Sequence, residues 1–154
     1  MRVLTVRQPW ARALFRGKSV ENRSRNIAGD YRGPVAIHAA KTYGSYAEFH
    51  TAAKFIARNT GQLPLMVTPR GLGVILGVAD LVDAHPFSLR TCGIFDETSE
   101  HPHAGCSPWA FTDGWHLVFE NPRELAEQIP FKGALGLRHL DDDTTARILA
   151  QIGA

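Results

Sequence analysis

The chain has 154 residues, of which 44% are hydrophobic and 21% are charged. This length suits one domain that buries a core without disulfide cross-links. Every apolar run is far shorter than the roughly 20 residues that a membrane-spanning helix needs, and the N-terminus alternates like a strand rather than resembling a signal peptide. We therefore expect a single domain over residues 1–154, in the cytoplasm and with no membrane partner.

The net charge of +2 conceals an uneven distribution of charge along the chain. Residues 1–58 hold eleven Lys and Arg against three acidic residues, a balance of +8, whereas residues 59–154 hold six against twelve, a balance of −6. A positive surface built by the first part would attract phosphate groups. The alternative is a solvated face whose charges are balanced in space by the acidic part.

The first sixty residues predict two strands and two helices. Arg2–Thr5 alternates polar and apolar residues like a strand, and Pro9 favours a helix start that Gly17 would end. Gly33–Ala39 has the composition of a buried strand, and Ser45–Ala57 has the three- and four-residue apolar spacing of an amphipathic helix.

The middle of the chain contains the strongest strand signal and the weakest structural pattern. Gly73–Asp83 is a long β-branched run whose glycines suit the bends of a small barrel. Residues 87–106 mix polar residues, Gly and Pro without any period, which predicts a long loop.

The remaining residues predict two hairpins and a helix. An Asp-Gly turn favours pairing of Trp109–Phe111 with Trp115–Phe119. Phe131 and Gly136–Leu140 suggest a second hairpin-like pair, and Thr144–Ile152 follows an acidic start that suits a helix.

These elements amount to about six short strands and three helices, with neighbouring strands mostly joined by turns. This order favours an α+β fold containing a small, largely antiparallel barrel.

A dense polar cluster follows the first predicted helix. Lys18, Glu21 and Arg23 lie within six residues, and Gln8 and Trp10 precede them. A turn at the intervening serine would bring the lysine and the glutamate together. A partly dry lysine loses its proton readily, whereas a nearby carboxylate keeps it charged and suited to phosphate. Surface ion pairs without a function are the alternative.

Several blocks of the sequence resemble the ASCH domain, a family named after the C-terminal homology region of a transcriptional coactivator. The Lys18-x-x-Glu21-x-Arg23 pattern matches that family's signature. The resemblance includes residues 4–11, 31–41, 73–80, 107–109 and 130–137, and so covers most of the chain up to about residue 140.

The resemblance implies a PUA-like β-barrel whose cleft, built around the signature, binds RNA or a nucleotide. It also implies a hydrolase alternative, because some ASCH-like proteins resemble an amidohydrolase of acylated cytidine and others are associated with ribonuclease activity. Lys18 matches the lysine of the amidohydrolase, but Glu21 occupies the position of its threonine, and its distant glutamate has no clear counterpart here.

Single-stranded RNA suits such a cleft, because an unstacked base can enter it. We expect Arg7, Lys18, Arg23 and Arg32 to meet phosphate, Gln8 and Glu21 to hold a base, and Trp10 to stack on it. His38 and Ser107 are further candidates, with core packing and turn formation as their alternatives. In an enzyme, Lys18 and Glu21 would perform general acid–base catalysis. A protein-interaction adaptor is a third function class.

Four potential zinc ligands lie in the predicted long loop: Cys92, His101, His103 and Cys106. Their spacing matches no standard zinc motif, and two cysteines are too few for a disulfide framework. We therefore expect neither a metal nor another cofactor.

Overall fold

A computed structural model describes residues 1–64, 71–95 and 102–153. Within these residues there are eleven elements: β1 (Arg2–Val6), α1 (Trp10–Ala13), β2 (Val20–Arg23), β3 (Gly33–Ala39), α2 (Tyr46–Thr60), β4 (Val74–Pro86), β5 (Ile94–Phe95), β6 (His103–Ala104), β7 (Trp115–Pro130), β8 (Leu137–His139) and α3 (Asp142–Ile152).

Six of the strands form one curled sheet in the order β2-β7-β4-β3-β1-β8. Only β1 and β3 run parallel in it, and every other neighbouring pair is antiparallel. The edge strands β2 and β8 are not paired with each other, so the sheet is a half-barrel. The predicted α+β class, with three helices and a small, mostly antiparallel barrel-like sheet, is confirmed.

The two faces of the sheet bury separate cores. On β1, Leu4 and Val6 face the cluster that includes Leu14 after α1, whereas Val3 faces the cluster that includes Ile148 of α3. This division follows from the two-residue period of a strand. The helices therefore cover both faces of the sheet, and β1, at the start of the chain, lies next to the edge strand β8.

Left-handed glycines follow the first two helices, but α1 already ends at Ala13, before the predicted stop at Gly17, and α2 continues to Thr60, beyond the predicted Ala57. Gly17 has a φ of 99° after α1, and Gly61 has a φ of 73° at the end of α2. Ser45 caps α2, because its hydroxyl accepts from the Glu48 backbone while the Glu48 carboxylate accepts from the Ser45 backbone. This reciprocal pair is a capping box.

The first predicted hairpin is wrong. Trp109–Phe111 forms no strand, because the side chain of Asn22 takes the place of a partner strand. Its amide donates to the Trp109 carbonyl at 2.9 Å and its oxygen accepts from the Phe111 backbone at 2.8 Å. The residues 115–119 instead begin β7, which pairs with both β2 and β4.

The second predicted hairpin is also wrong. Phe131 lies just beyond the end of β7 and outside any strand. The strand predicted at 136–140 exists as β8, but its partner is β1 at the other end of the sequence.

The predicted long loop contains a short structured unit. β5 and β6 pair through Ile94 with Ala104 and Phe95 with His103. Residues 96–101 lie outside the described residues. Among the described helices, none has the length and apolar character needed to cross a membrane.

Candidate functional site

A cavity of about 920 Å³ opens where β1, β2, β3 and α2 meet the segment 131–136. Its volume lies within the range of about 300–1,000 Å³ that small-molecule sites occupy. Six charged side chains line it, four basic and two acidic: Arg7, Arg23, Lys41, Lys132, Glu21 and Glu48. The lining therefore favours an anionic ligand.

A buried carboxylate with two basic partners lies beside this cavity. Glu21 is 7% exposed; one of its oxygens accepts from the Lys18 ammonium, and the other lies 3.1 Å from the Arg23 guanidinium. Arg23 also donates to the Thr5 carbonyl at 2.9 Å. These contacts fix the guanidinium in one orientation.

Local backbone structure explains why these side chains converge. The Lys18 backbone donates to the Ala13 carbonyl at 3.0 Å after the left-handed Gly17, which turns the chain out of α1. The next residues enter β2, where Glu21 pairs with Leu117 of β7. The predicted contact between Lys18 and Glu21 is present.

Burial has a strong effect on Lys18. The residue is 3% exposed, and its ammonium lies 5.3 Å from the centre of the Trp10 ring. Desolvation lowers the pKa of Lys18; Glu21 opposes the shift and Arg23 adds to it. Lys18 does not line the cavity, whereas its partner Glu21 does. A direct contact of Lys18 with ligand phosphate is therefore not supported.

Gln8 and Trp10 both line the cavity, but hydrogen bonds and packing also hold them in place. The Gln8 amide donates to the Gly71 carbonyl at 3.2 Å and accepts from the Arg12 backbone at 3.2 Å. The Trp10 ring makes edge contacts with Phe55 and Phe111 at 5.8 and 6.0 Å. Trp10 therefore forms a rigid apolar wall.

His38 lies on the cavity floor and is 2% exposed. Its Nδ1 is 3.1 Å from the Thr5 hydroxyl, and its Nε2 has no hydrogen-bond partner among the described residues. Burial lowers the pKa of His38, and the backbone of Phe131 partly opposes this. A Cβ at Gly133 would lie 2.5 Å from the imidazole, so only glycine fits there without a shift.

The cavity rim carries several cations. Arg7 is exposed and pairs with Glu48 at 3.0 Å. Within the described part of the chain, Lys41 and Lys132 have no carboxylate partner. These two ammonium groups are free to meet an anion.

Besides Lys18, two predicted site residues lie outside the cavity lining. Arg32 is exposed, donates to the carbonyls of Gly29 and Tyr31, and lies 3.7 Å from Asp83. Ser107 accepts from the Trp109 backbone at 3.1 Å, which matches its alternative interpretation as a turn residue.

Sequence reasoning missed Thr5, Lys41, Phe111 and Lys132 as lining residues. Lys41 and Lys132 lie inside two of the blocks that resemble the ASCH family, so their charge could have been noted there. Thr5 and Phe111 carry no comparable signal, because only the fold brings them beside β2 and β3.

The predicted zinc ligands do not converge as a group. His103 stacks on Phe95 with ring centres 5.7 Å apart, and its Nδ1 lies 3.0 Å from the Ala104 carbonyl. His101 lies outside the described residues. Cys92 and Cys106 are both free thiols.

Comparison of the sequence with models of known protein families and with curated proteins gave no match.

Proposed function

We propose that the cavity binds an unpaired nucleotide, and that its natural ligand is single-stranded RNA. The observation that carries this proposal is the fixed Glu21–Arg23 pair in a cavity large enough for a nucleotide, with free lysines at the rim. A buried carboxylate next to an oriented guanidinium offers an acceptor and donors side by side, as the edge of a base requires.

The likeness of the cavity to a base-binding site rests on its apolar walls. Trp10 and Phe111 are held edge to face with their ring centres 6.0 Å apart, and both line the cavity. Such rigid aromatic surfaces favour flat ligands with little loss of conformational freedom. A base packed against these walls would place its amino group toward Glu21.

Lys18 has a different part in this proposal from the one that the sequence predicts. Its ammonium holds the Glu21 carboxylate in one orientation, while Arg23, Lys41 and Lys132 supply the positive charge that meets phosphate. Arg32 has no part in it, since its guanidinium lies near Asp83.

Fluorescence polarisation with a labelled pool of single-stranded RNA, measured over a range of salt concentrations, tests this proposal. The double variant Lys41→Ala/Lys132→Ala should bind more weakly than the parent. Each lost phosphate contact should reduce the slope of log K against log salt by about 0.7, the value for single strands. Free nucleoside monophosphates should compete with the RNA.

Arg32→Ala provides the matched control, because it removes one exposed positive charge outside the cavity. This variant should retain the salt dependence of the parent. Binding that is insensitive to salt, or that Arg32→Ala weakens as much as the lysine variant does, would contradict the proposal.

A hydrolase that uses the same cavity is the second candidate. The observation in its favour is the burial of Lys18. Burial lowers the pKa of the amine, although Glu21 opposes the shift, and a lowered pKa is expected of a lysine that accepts a proton. Incubation with acylated cytidines and with RNA, followed by chromatography, measures turnover. Product that disappears in Lys18→Met while RNA binding persists would support the hydrolase; binding without product would support the RNA-binding protein.

A further inference from the structure

Four metal-ligating side chains converge away from the cavity, on the side of the sheet where β4 ends and β7 begins. They are His85, His116, Cys92 and Cys106, and their ligand atoms all lie within 4.8 Å of one another. The cluster keeps both cysteines of the predicted zinc set but replaces both of its histidines. None of the four lines the nucleotide cavity.

The sheet and the short hairpin each supply two of these side chains. His85 and His116 are directly paired residues of β4 and β7, which places their rings on neighbouring strands. Cys92 and Cys106 flank the β5–β6 pair, and the chain brings their backbones together. A Cβ at Gly105 would lie 2.4 Å from the Cys92 carbonyl, so this close approach requires glycine.

Two of the separations between ligand atoms match those around a tetrahedral ion. Nδ1 of His116 lies 3.4 Å from the Cys106 sulfur and 3.4 Å from Nε2 of His85. Zinc bonds of about 2.0–2.1 Å to nitrogen and 2.3 Å to sulfur imply tetrahedral ligand separations of about 3.3–3.8 Å. Two cysteines and two histidines are also a common set of ligands for structural zinc.

Hydrogen bonds to the other ring nitrogens assign the tautomer of each histidine. Nε2 of His116 donates to the Phe111 carbonyl at 2.8 Å, and Nδ1 of His85 donates to the Asp83 carboxylate at 2.6 Å. The two remaining nitrogens therefore carry lone pairs, and these are the nitrogens that face each other at 3.4 Å. Two nitrogen lone pairs at that distance repel each other unless a cation lies between them.

The hydrogen bonds of the two outer ring nitrogens are also those that a metal site requires. Metal-bound histidines in proteins characteristically donate their second nitrogen to a carboxylate or a backbone carbonyl, and both arrangements are present here.

We propose that His85, His116, Cys92 and Cys106 bind one zinc ion, which fastens the β5–β6 hairpin to the sheet. Four protein ligands close the coordination shell, so the ion is structural and does not activate water. The hairpin has two residue pairs, and so short a unit needs an additional anchor. Asp83 is a positioning residue, since it orients the His85 ring.

The experiment uses the full chain, treated with a phosphine reductant, freed of metal with a chelator and then titrated with Co²⁺ and with Zn²⁺. We expect one Co²⁺ per chain, with visible d–d absorption and a near-ultraviolet thiolate-to-cobalt band, both displaced by one equivalent of zinc. Loss of an outer partner of a ligand costs about 10- to 100-fold in metal affinity, so Cys106→Ser should weaken zinc binding by at least that factor.

His103→Ala is the matched control, because it removes a histidine from the same hairpin that does not belong to the cluster. It should leave the zinc affinity and the thiolate band unchanged. If Cys106→Ser fails to fold, Asp83→Asn tests the proposal at an exposed residue that is not a ligand; about 10- to 100-fold weaker binding is expected.

Three results would overturn the proposal. The first is the absence of a thiolate band in the reduced protein. The second is metal binding that persists in both Cys106→Ser and Asp83→Asn, which indicates an adventitious ion only. The third is a Cys92–Cys106 disulfide in the purified protein, detected by peptide mass spectrometry, with no metal uptake after reduction.

Discussion

Glu21 neutralises a lysine that has almost no contact with solvent. In Glu21→Gln the Lys18 ammonium stays buried, at 3% exposure, without its carboxylate. Removing one partner of a buried ion pair costs about 3–5 kcal/mol, because the other charge is left uncompensated. We expect the free energy of unfolding to fall by about that amount in urea titrations at neutral pH.

Arg16→Gln is the control for this change. It removes an ion pair with Glu124 whose arginine side chain is 55% exposed. Exposed pairs contribute about 0–1 kcal/mol, so this variant should unfold close to the parent. Equal losses in the two variants would show that burial does not govern the contribution of the Glu21 contact.

Acid should weaken the fold through His38. Burial lowers the pKa of His38 in the folded protein below its usual value of 6.5, so below pH 6.5 the unfolded chain binds a proton that the folded chain does not. Stability is therefore lost as the pH falls through 6.5, by at most about 1.4 kcal/mol per pH unit for one histidine.

The measurement is a series of urea titrations between pH 7.5 and 5 in the presence of a chelator. In His38→Asn the fall in stability should be shallower than in the parent. His139→Asn, which changes an exposed histidine, should leave the pH dependence unchanged. An unaltered slope in His38→Asn would contradict the assignment, since His116 would then account for the whole effect.

At the scale of residues, the sequence predicted local contacts and missed distant ones. The contact of Lys18 with Glu21 could be predicted, because three positions and one turn separate them. Arg32 was assigned to phosphate from charge alone, and its ion pair with Asp83 depends on the pairing of β3 with β4. The pairing of His85 with His116 depends in the same way on the pairing of β4 with β7, and it left no motif in the sequence.

The pairing of β4 with β7 depends on a glycine. A Cβ at Gly77 would lie 2.4 Å from the Arg123 carbonyl and 2.5 Å from the Phe15 ring. Backbone cannot move aside as a side chain can, so Gly77→Ala should force apart the two longest strands. Overpacking of this kind costs about 1–3 kcal/mol, and thermal unfolding followed by circular dichroism measures it.

Val82→Ala is the control in the same strand, at a position that is 41% exposed. Its effect should stay below about 1 kcal/mol, as for most surface changes. A Gly77→Ala protein as stable as the parent would show that the β4–β7 register adjusts to the added methyl group.

At the scale of elements, the sequence predicted the helices better than the strand pairs. Ser45, Glu48 and Gly61 mark the ends of α2 by local chemistry alone. By contrast, β7 continues for 16 residues through Asn121 and Pro122, a pair that favours a turn. Asn121 has a φ of 49° and the register shifts nearby, so the strand bends there and continues.

For the whole molecule, ion pairs join the basic and acidic parts of the chain. Arg12 and Arg16 both contact Glu124, and Arg32 contacts Asp83. The charge asymmetry is therefore partly balanced in space, as the alternative interpretation of the sequence holds. Positive charge remains near the cavity on Lys41 and Lys132. Neither the net charge of the chain nor the charge balance of residues 1–58 shows where this positive charge lies.

The position of β1 between β3 and β8 has a consequence for synthesis on the ribosome. Its partner on one side, β3, follows within about 30 residues, whereas Arg2 pairs on the other side with His139. An emerging chain therefore keeps one edge of β1 open until nearly all of the described residues have been made. Open strand edges favour association with other chains. Neighbouring chains that are synthesised on one messenger RNA are therefore most able to pair with each other through β1 just before β8 leaves the ribosomal exit tunnel.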